Sequence, residues 1–293
     1  MPNLPVSLHA AFAAAPLGGN IGGVVYEDEP LSAECRQRIA ADLAAPTTGF
    51  VTENEDGSFH VRYHSSLREM DMCGHVTVAI FAAMFEDERI TEGRYEQHTR
   101  AGIIPVEVDS GGKIWMSQPL PRFDLNAVSV AEAAPLLGLE SKAIIDVASA
   151  SSALRHVFVE VPDEQTLARL RPDDEGLRGL SASRGIDTIG VWCWQSGGQG
   201  RLRVRLRDLC HGVGDPEEAA SGTTNGALAC HIHRAGRIDA ATNGEVRMIG
   251  EQGFEMGRAS RVETILTEHS GNIASVRVGG HAEARLKGQY FLK

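Results

Sequence analysis

Two short stretches carry the residue types that could do chemistry. Met72-Cys73-Gly74-His75-Val76-Thr77-Val78-Ala79 sets a thiol and an imidazole two positions apart, and Ala220-Ser221-Gly222-Thr223-Thr224-Asn225-Gly226-Ala227 sets three hydroxyls in four positions. Each reads as a nucleophile-bearing turn that opens a helix of small residues. A helix start presents unpaired N–H groups and partial positive charge, which favour a carboxylate or a thiolate. The pairing of the two turns predicts a carboxylate held by both helix starts. Cys73, at a helix start with His75 nearby, is expected to have a depressed pKa and to act as nucleophile or proton-abstracting base. Asp215, Glu217 and Glu218 lie just upstream of the second turn. Acidic residues there are ordinarily dipole partners; one buried beside a carboxylate would have a raised pKa and could act as a general acid.

Other chemistries find little support. The five cysteines, Cys35, Cys73, Cys193, Cys210 and Cys230, form no C-x-x-C pair, so a disulfide framework or zinc site is not expected, and the four besides Cys73 read as structural. His231 and His233 are two apart on a predicted helix and do not face together. No metal is expected. No G-x-S-x-G, H-E-x-x-H or P-loop pattern occurs, and the glycines around Asn20 do not follow the dinucleotide spacing. A net charge of -11 argues against nucleic acid or an acidic membrane as partner. No apolar run is long enough to span a membrane. The Ala-rich opening lacks a positive start and is broken by His9 and Pro16, so it is not read as a signal peptide. A reducing, cytoplasmic setting is expected.

The elements that position these turns follow from pattern. A chain of 293 residues suits two domains, and Pro119 and Pro121 mark the expected boundary. The first half is read as 1–121, joined by a last strand at 287–293, and the second as 122–286. Strands are expected at 6–12, 21–26, 47–52, 59–63, 95–100, 103–108 and 114–117. A helix over 32–43 has Ser32 as N-cap, with Arg36 and Arg38 on its wet face. The helix over 74–85 has almost no polar face and must be buried nearly all round. In the second half, helices are expected at 129–137, 164–170 and 223–234, with a charged turn at 171–175. Strands are expected at 143–148, 156–161, 188–194, 202–206 and four times beyond 245. Ser196-Gly197-Gly198 reads as a turn. Arg201, Arg203, Arg205 and Arg207 alternate along one strand and read as a solvated sheet face or an edge for an acidic partner. Strand-rich halves, each with one buried helix, predict an α+β chain of two similar barrels or rolls.

Together, Met72-Cys73-Gly74-His75, Ser221-Gly222-Thr223, Gly19-Asn20 and the run Glu251-Gln252-Gly253-Phe254-Glu255-Met256-Gly257-Arg258 resemble the PhzF-like isomerases of phenazine biosynthesis. These belong to the diaminopimelate-epimerase and proline-racemase superfamily, and the resemblance spans essentially the whole chain. It implies two pseudo-symmetric β-barrel halves, each around a central helix, with the active site in the cleft between. It also implies cofactor-independent proton transfer at carbon beside a carboxylate, and a homodimer. The catalytic set so implied is Cys73, Glu218 and Ser221; the substrate-binding set is Asn20, Thr47, Gly74, His75, Gly222 and Thr223.

The chain departs from the family at two places. The usual glutamate base stands in a Ser-Glu-Thr-x-Phe-Val segment, which here reads Pro46-Thr47-Thr48-Gly49-Phe50-Val51, so Thr47 occupies the base position. The family's acidic residue precedes the second-turn hydroxyl by five; an ungapped match gives Glu218, and a longer loop would give Asp215. Superfamily racemases carry a cysteine in each turn, whereas the second turn here has Ser221. Isomerisation by a 1,3-shift, tautomerisation or epimerisation of a small carboxylate is therefore expected. The alternatives are a hydroxyproline-type dehydratase or a carboxylate-binding homologue without catalysis.

Overall fold

The structure is a computed structural model that describes residues 3–123, 128–195, 202–238 and 244–292. The chain divides into two compact units, Met1–Ser117 with Gly279–Lys293, and Gln118–Val278. The first unit contains β1 (Asn3–Ala11), β2 (Asn20–Tyr26), α1 (Ala33–Leu43), β3 (Thr47–Glu53), β4 (Phe59–His64), β5 (Glu69–Met70), α2 (Gly74–Glu86), β6 (Gly93–Thr99), β7 (Gly102–Val108) and β8 (Ile114–Gln118). The second contains α3 (Val130–Leu136), β9 (Asp146–Ser151), β10 (Arg155–Glu160), α4 (Glu164–Ala168), α5 (Asp174–Arg184), β11 (Thr188–Trp194), β12 (Leu202–Leu209), α6 (Gly222–Arg234), β13 (Glu245–Gln252), β14 (Ser260–His269) and most of β15 (Asn272–Gly280). The last strand, β16 (Ala282–Phe291), pairs antiparallel with β1 along its length, from Asn3↔Phe291 to Ala11↔Ala282. The return to the first unit is thus longer than the expected 287–293.

The two units repeat one order of strand pairing. In the first, β1–β2 is antiparallel, β2–β3 parallel, β3–β4 antiparallel, β4–β6 parallel and β6–β7 antiparallel. In the second, β9–β10, β10–β11, β11–β12, β12–β13 and β13–β14 follow the same alternation. The corresponding helices fall in corresponding gaps: α2 between β4 and β6, α6 between β12 and β13.

The helix α2 is buried from His75 to Met84, as its all-apolar pattern requires. It lies close on the sheet because glycines leave room for it: a Cβ at Gly22 would come within 2.9 Å of Ala79, and one at Gly49 within 2.5 Å of Ile80. In the second unit both faces of the β10–β11 pair are buried. Val157, Val159 and Val191 pack with α3, α4 and α5 residues such as Ala134, Leu167 and Leu177. Phe158 and Trp192 pack on the other face with Leu228 and Ile232 of α6. A strand pair buried on both faces reads as a continuous apolar run, which is how Thr188–Trp194 reads. No helix among the described residues is long and apolar enough to cross a membrane.

Several expectations are corrected. Arg36 is buried rather than wet: it reaches Glu27 with two hydrogen bonds, 2.8 Å from Nε and 2.7 Å from Nη2, and Thr52 adds a third contact to the same carboxylate. The charged 171–175 segment is not a plain turn. Asp173 caps α5 through Gly176 N–H, and Gly185 closes it in the left-handed conformation. The arginine row is an internal ion-pair network rather than a solvated face. Arg203 and Arg205 face Glu251, Arg205 stacks 3.3 Å from the Phe254 ring centroid, and Arg207 forms a bidentate pair with Glu217 at 3.0 and 2.7 Å. Arg201 and the Ser196-Gly197-Gly198 turn lie outside the described residues. The strand expected at 143–148 is β9, displaced to Asp146–Ser151 behind a short 3-10 turn at Ser141–Ala143.

Candidate active site

The first helix start is built on the junction of β2 and α2. Gly19 turns the chain into β2 with φ +87, and a Cβ there would strike the Ala11 carbonyl oxygen at 2.8 Å, so the turn needs glycine. Asn20 follows, buried, and its Nδ2 lies 3.2 Å from Nδ1 of His75 on the first turn of α2. Cys73 is the N-cap of α2 in extended conformation, φ -144 and ψ 115, and no side chain caps the helix. Its Sγ lies 3.4 Å from the same His75 Nδ1. With the amide of Asn20 donating, that nitrogen is an acceptor, and the ring carries its proton on Nε2. Burial pushes the His75 pKa down to about 4, against a hydrogen bond to the Ile21 backbone that raises it. His75 is therefore neutral at neutral pH and places no positive charge beside Cys73. Of the two influences expected on the thiol, the helix start remains. Thr47 opens β3, buried, with its hydroxyl 3.7 Å from the Met70 sulfur.

The second helix start repeats the geometry in its own unit. Ser221 is the N-cap of α6 with φ -130 and ψ 113, close to the Cys73 values. Unlike Cys73 it caps with its side chain, accepting from Thr224 N–H at 3.3 Å, and its Oγ lies 3.1 Å from Thr223 Oγ1. Gly222 is buried against Val278, 3.0 Å from where a Cβ would stand. Gln252 pins the turn from β13. Its Oε1 accepts from Ser221 N–H at 3.2 Å and from Asn225 Nδ2 at 3.1 Å, while its Nε2 donates to the Glu218 carbonyl at 2.7 Å. This gives the Gln252-Gly253 run its role: one amide satisfies three groups of the turn that holds Glu218 and Ser221.

Glu218 stands opposite Asp208 at the end of β12. The two form an isolated antiparallel bridge, with Glu218 N–H donating to the Asp208 carbonyl at 3.0 Å. Directly opposed residues point their side chains to one side. Accordingly Asp208, Glu218 and Cys210 bring one oxygen each and a sulfur within 4.8 Å of one another, the one such gathering of three among the described residues. Burial raises all three pKa values. Glu218 is pushed up to about 8, by desolvation first and then by the charges of Asp208 and Asp215. Asp208 rises to about 6, with hydrogen bonds from Thr224, Cys210, Ser221 and Thr188 opposing the desolvation. Cys210 is driven well above its ordinary value, so it stays a thiol, donating to the Asp208 carbonyl at 3.3 Å. Behind Asp208, Thr224 Oγ1 donates to Oδ2 at 2.7 Å, and His156 Nδ1 lies 2.8 Å from Thr188 Oγ1. Desolvation holds the His156 pKa down at about 3, so the ring is neutral.

Within the first unit, then, Cys73, His75 and Asn20 come together, and within the second, Glu218, Ser221, Gly222 and Thr223. Asp208, His156 and Gln252 were not among the candidates. Asp208 had a readable signal: Leu202, Val204 and Leu206 set an inward alternation on β12, and Asp208 falls on that face where an apolar residue is due.

The fold is that of epimerase- and racemase-type proteins. A hydroxyproline epimerase from Agrobacterium vitis superposes with a TM-score of 0.62 at 12% identity, covering 98% of this chain and 92% of that one. A Bacillus anthracis phenazine biosynthesis protein of the PhzF family superposes with a TM-score of 0.88 at 26% identity, and each chain is covered completely, 100% and 100%. In sequence, an uncharacterised isomerase of Deinococcus radiodurans is 34% identical over 95% of this chain and 92% of its own length. The trans-2,3-dihydro-3-hydroxyanthranilate isomerase of Pseudomonas aeruginosa is 28% identical over 96% and 97%. These matches define the class as isomerase. The chain belongs to the phenazine biosynthesis-like (PhzC-PhzF) family, whose pattern matches residues 9–288.

Proposed function

We propose that this isomerase moves a proton within a small carboxylate substrate without a cofactor, and that the two helix starts serve one substrate molecule. The observation that carries the reading is Glu218, a carboxyl held protonated near neutral pH by burial and by Asp208, three residues before the α6 N-cap. A general acid works best with a pKa near the working pH. In the proposed cycle the Cys73 thiolate takes a proton from carbon, the electron pair shifts into conjugation with the carboxylate, Glu218 returns a proton at the far carbon, and exchange with solvent then deprotonates Cys73 and reprotonates Glu218. N–H groups at the starts of α2 and α6 hold the carboxylate and the charge that develops on it. Thr47 at the family's base position supports giving the base role to Cys73, because a threonine hydroxyl is far too weakly acidic to exchange a proton at neutral pH. The repeated pairing order supports reading the units as pseudo-symmetric halves, each wrapped on its helix. From the family resemblance and the unpaired cysteines we further infer a homodimer that works in the cytoplasm.

Incubation in D2O with a panel of small unsaturated carboxylic acids tests the proposal, and trans-2,3-dihydro-3-hydroxyanthranilate, named for the Pseudomonas relative, is the first compound to try. Deuterium should enter one acid at carbon. Glu218→Gln and Cys73→Ala should each slow its isomerisation by roughly a hundredfold or more. Exchange that survives in both variants would sink the assignment. Loss of water from a hydroxy acid, with a keto or imino product, would favour the dehydratase instead.

A further inference from the structure

The catalytic reading needs Glu218 protonated, and burial alone does not choose which of two adjacent carboxyls keeps a proton. The geometry points to Asp208 as a positioning residue: its buried carboxylate faces Glu218 across a two-residue bridge, takes the negative charge, and leaves Glu218 as the proton carrier of the pair. This rests on the reading of Glu218 as the acid.

Four observations support the assignment. Asp208 is 0% exposed, whereas Glu218 as a residue is only half-buried, so of the two Glu218 lies nearer the surface. Asp208 is the better-solvated anion of the two inside the protein. Oδ2 accepts a short hydrogen bond from Thr224 Oγ1 at 2.7 Å, and the hydroxyls of Ser221 and Thr188 and the Cys210 thiol also favour its charged form. The facing groups are arranged to leave the charge there. His156, behind Thr188, is neutral; Cys210 is a neutral thiol; and Asp215 faces Glu218 and opposes a second charge on it. Finally, Oδ1 of Asp208 is buried without a hydrogen-bond partner, on the carboxyl that converges on Glu218 and Cys210. Like charges directly opposed across a strand pair are destabilising, and so is an orphaned buried oxygen. One proton kept on the pair relieves the charge repulsion. The pair therefore carries one proton at neutral pH and titrates as a unit.

Asp208 also reaches the other end of the site. Thr224 Oγ1 lies 3.0 Å from Ser221 Oγ, so the carboxylate orients the hydroxyls at the α6 start as well as the acid beside it.

The test reads Glu218 directly and requires no substrate. In protein labelled with 13C at the glutamate side-chain carboxyl, the Glu218 resonance is identified by its loss in Glu218→Gln, and its titration is followed from pH 5 to 9. In the native protein it should titrate on the alkaline side of neutrality. In Asp208→Asn, which keeps an acceptor for Thr224 but removes the charge, the midpoint should fall by roughly one pH unit or more. Asp208→Glu should restore part of the shift. If Asp208→Asn does not fold, Thr224→Val removes the hydrogen bond that favours the Asp208 anion and should move Glu218 in the same direction by less. A midpoint that stays put in either folded variant overturns the inference. Failure of the catalytic reading is separate: it would appear as Glu218→Gln turning over normally while the midpoint still responds to Asp208.

Discussion

At the scale of single residues, this protein places charge inside and pairs it. Arg36 and Glu27 are the structural case. Their side chains keep 10% and 1% of their exposure, and removing one partner strands the other. Arg36→Ala should cost about 3–5 kcal/mol in urea unfolding, and Glu27→Gln should cost a comparable amount because it strands the buried Arg36 cation. The burial of Arg36 was legible from spacing, since it falls on one stripe with Ile39 and Ala40 at i+3 and i+4. Its charge suggested the wet face, and the partner that reverses that reading lies beyond the end of β2, where no local pattern points to it. Asp208 has the same logic in a strand. His75 gives a second test. A ring that stays neutral through the physiological range predicts that the rate of Cys73 alkylation rises with pH in one step, with no second inflection between about pH 5 and 7. A second step in that window, lost in His75→Asn, would show that the imidazole charges beside the thiol.

At the scale of elements, two helices begin in the same way on matched segments of the two units, and they differ in how the start is closed. α2 leaves its first turn without a side-chain cap, whereas α6 is capped by Ser221 and braced by Gln252. Ser221→Ala should cost about 1 kcal/mol, the usual worth of a serine N-cap, and Ser221→Thr should recover most of it. A loss well under half of that, measured as a shift in thermal midpoint, would mean that Gln252 alone holds the turn. Both helices were readable in the sequence because small and apolar residues predominate after Gly74 and after Gly222. α5 was not. Its composition, Asp-Glu-Gly-Leu-Arg-Gly-Leu-Ser-Ala-Ser-Arg, holds two glycines and four charges, and only Leu177 and Ser181 are buried. Packing beside α3 makes that segment a helix, and the local marks were the caps, Asp173 before it and Gly185 after it.

At the scale of the whole molecule, the buried titrating groups set the pH at which the fold is most stable. Glu218 and Asp208 bind protons more tightly folded than unfolded, at about 8 and about 6, so their contribution to stability is lost as pH rises from about 4 through those values. His75 and His156 are held neutral, at about 4 and about 3, so the unfolded chain takes up protons that they refuse, and stability is lost as pH falls below about 6.5. Buried His9 and His64 shift the same way. The opposed slopes predict a thermal midpoint that peaks between about pH 6 and 7. They also predict that Glu218→Gln, relative to the native protein, gains stability steadily from pH 7 to 9. A native midpoint that climbs through pH 9 would contradict both. The pairing order of the two units could be partly foreseen from paired strand-rich halves, while the length of the return strand β16 could not: its residues from Ala282 are largely exposed and carry no apolar pattern to announce a partner.

The measurement that tests the central claim most directly is the pH dependence of deuterium transfer into the substrate by the native enzyme. If the Cys73 thiolate takes the proton and protonated Glu218 returns it, the rate should trace a bell, rising as Cys73 ionises and falling on the alkaline side, above about 8, once both groups have lost their protons, and Glu218→Gln should lack that falling limb along with most of the rate. A rate that stays level or rises through pH 9 would show that the proton comes from another group, and would remove Glu218 from the chemistry.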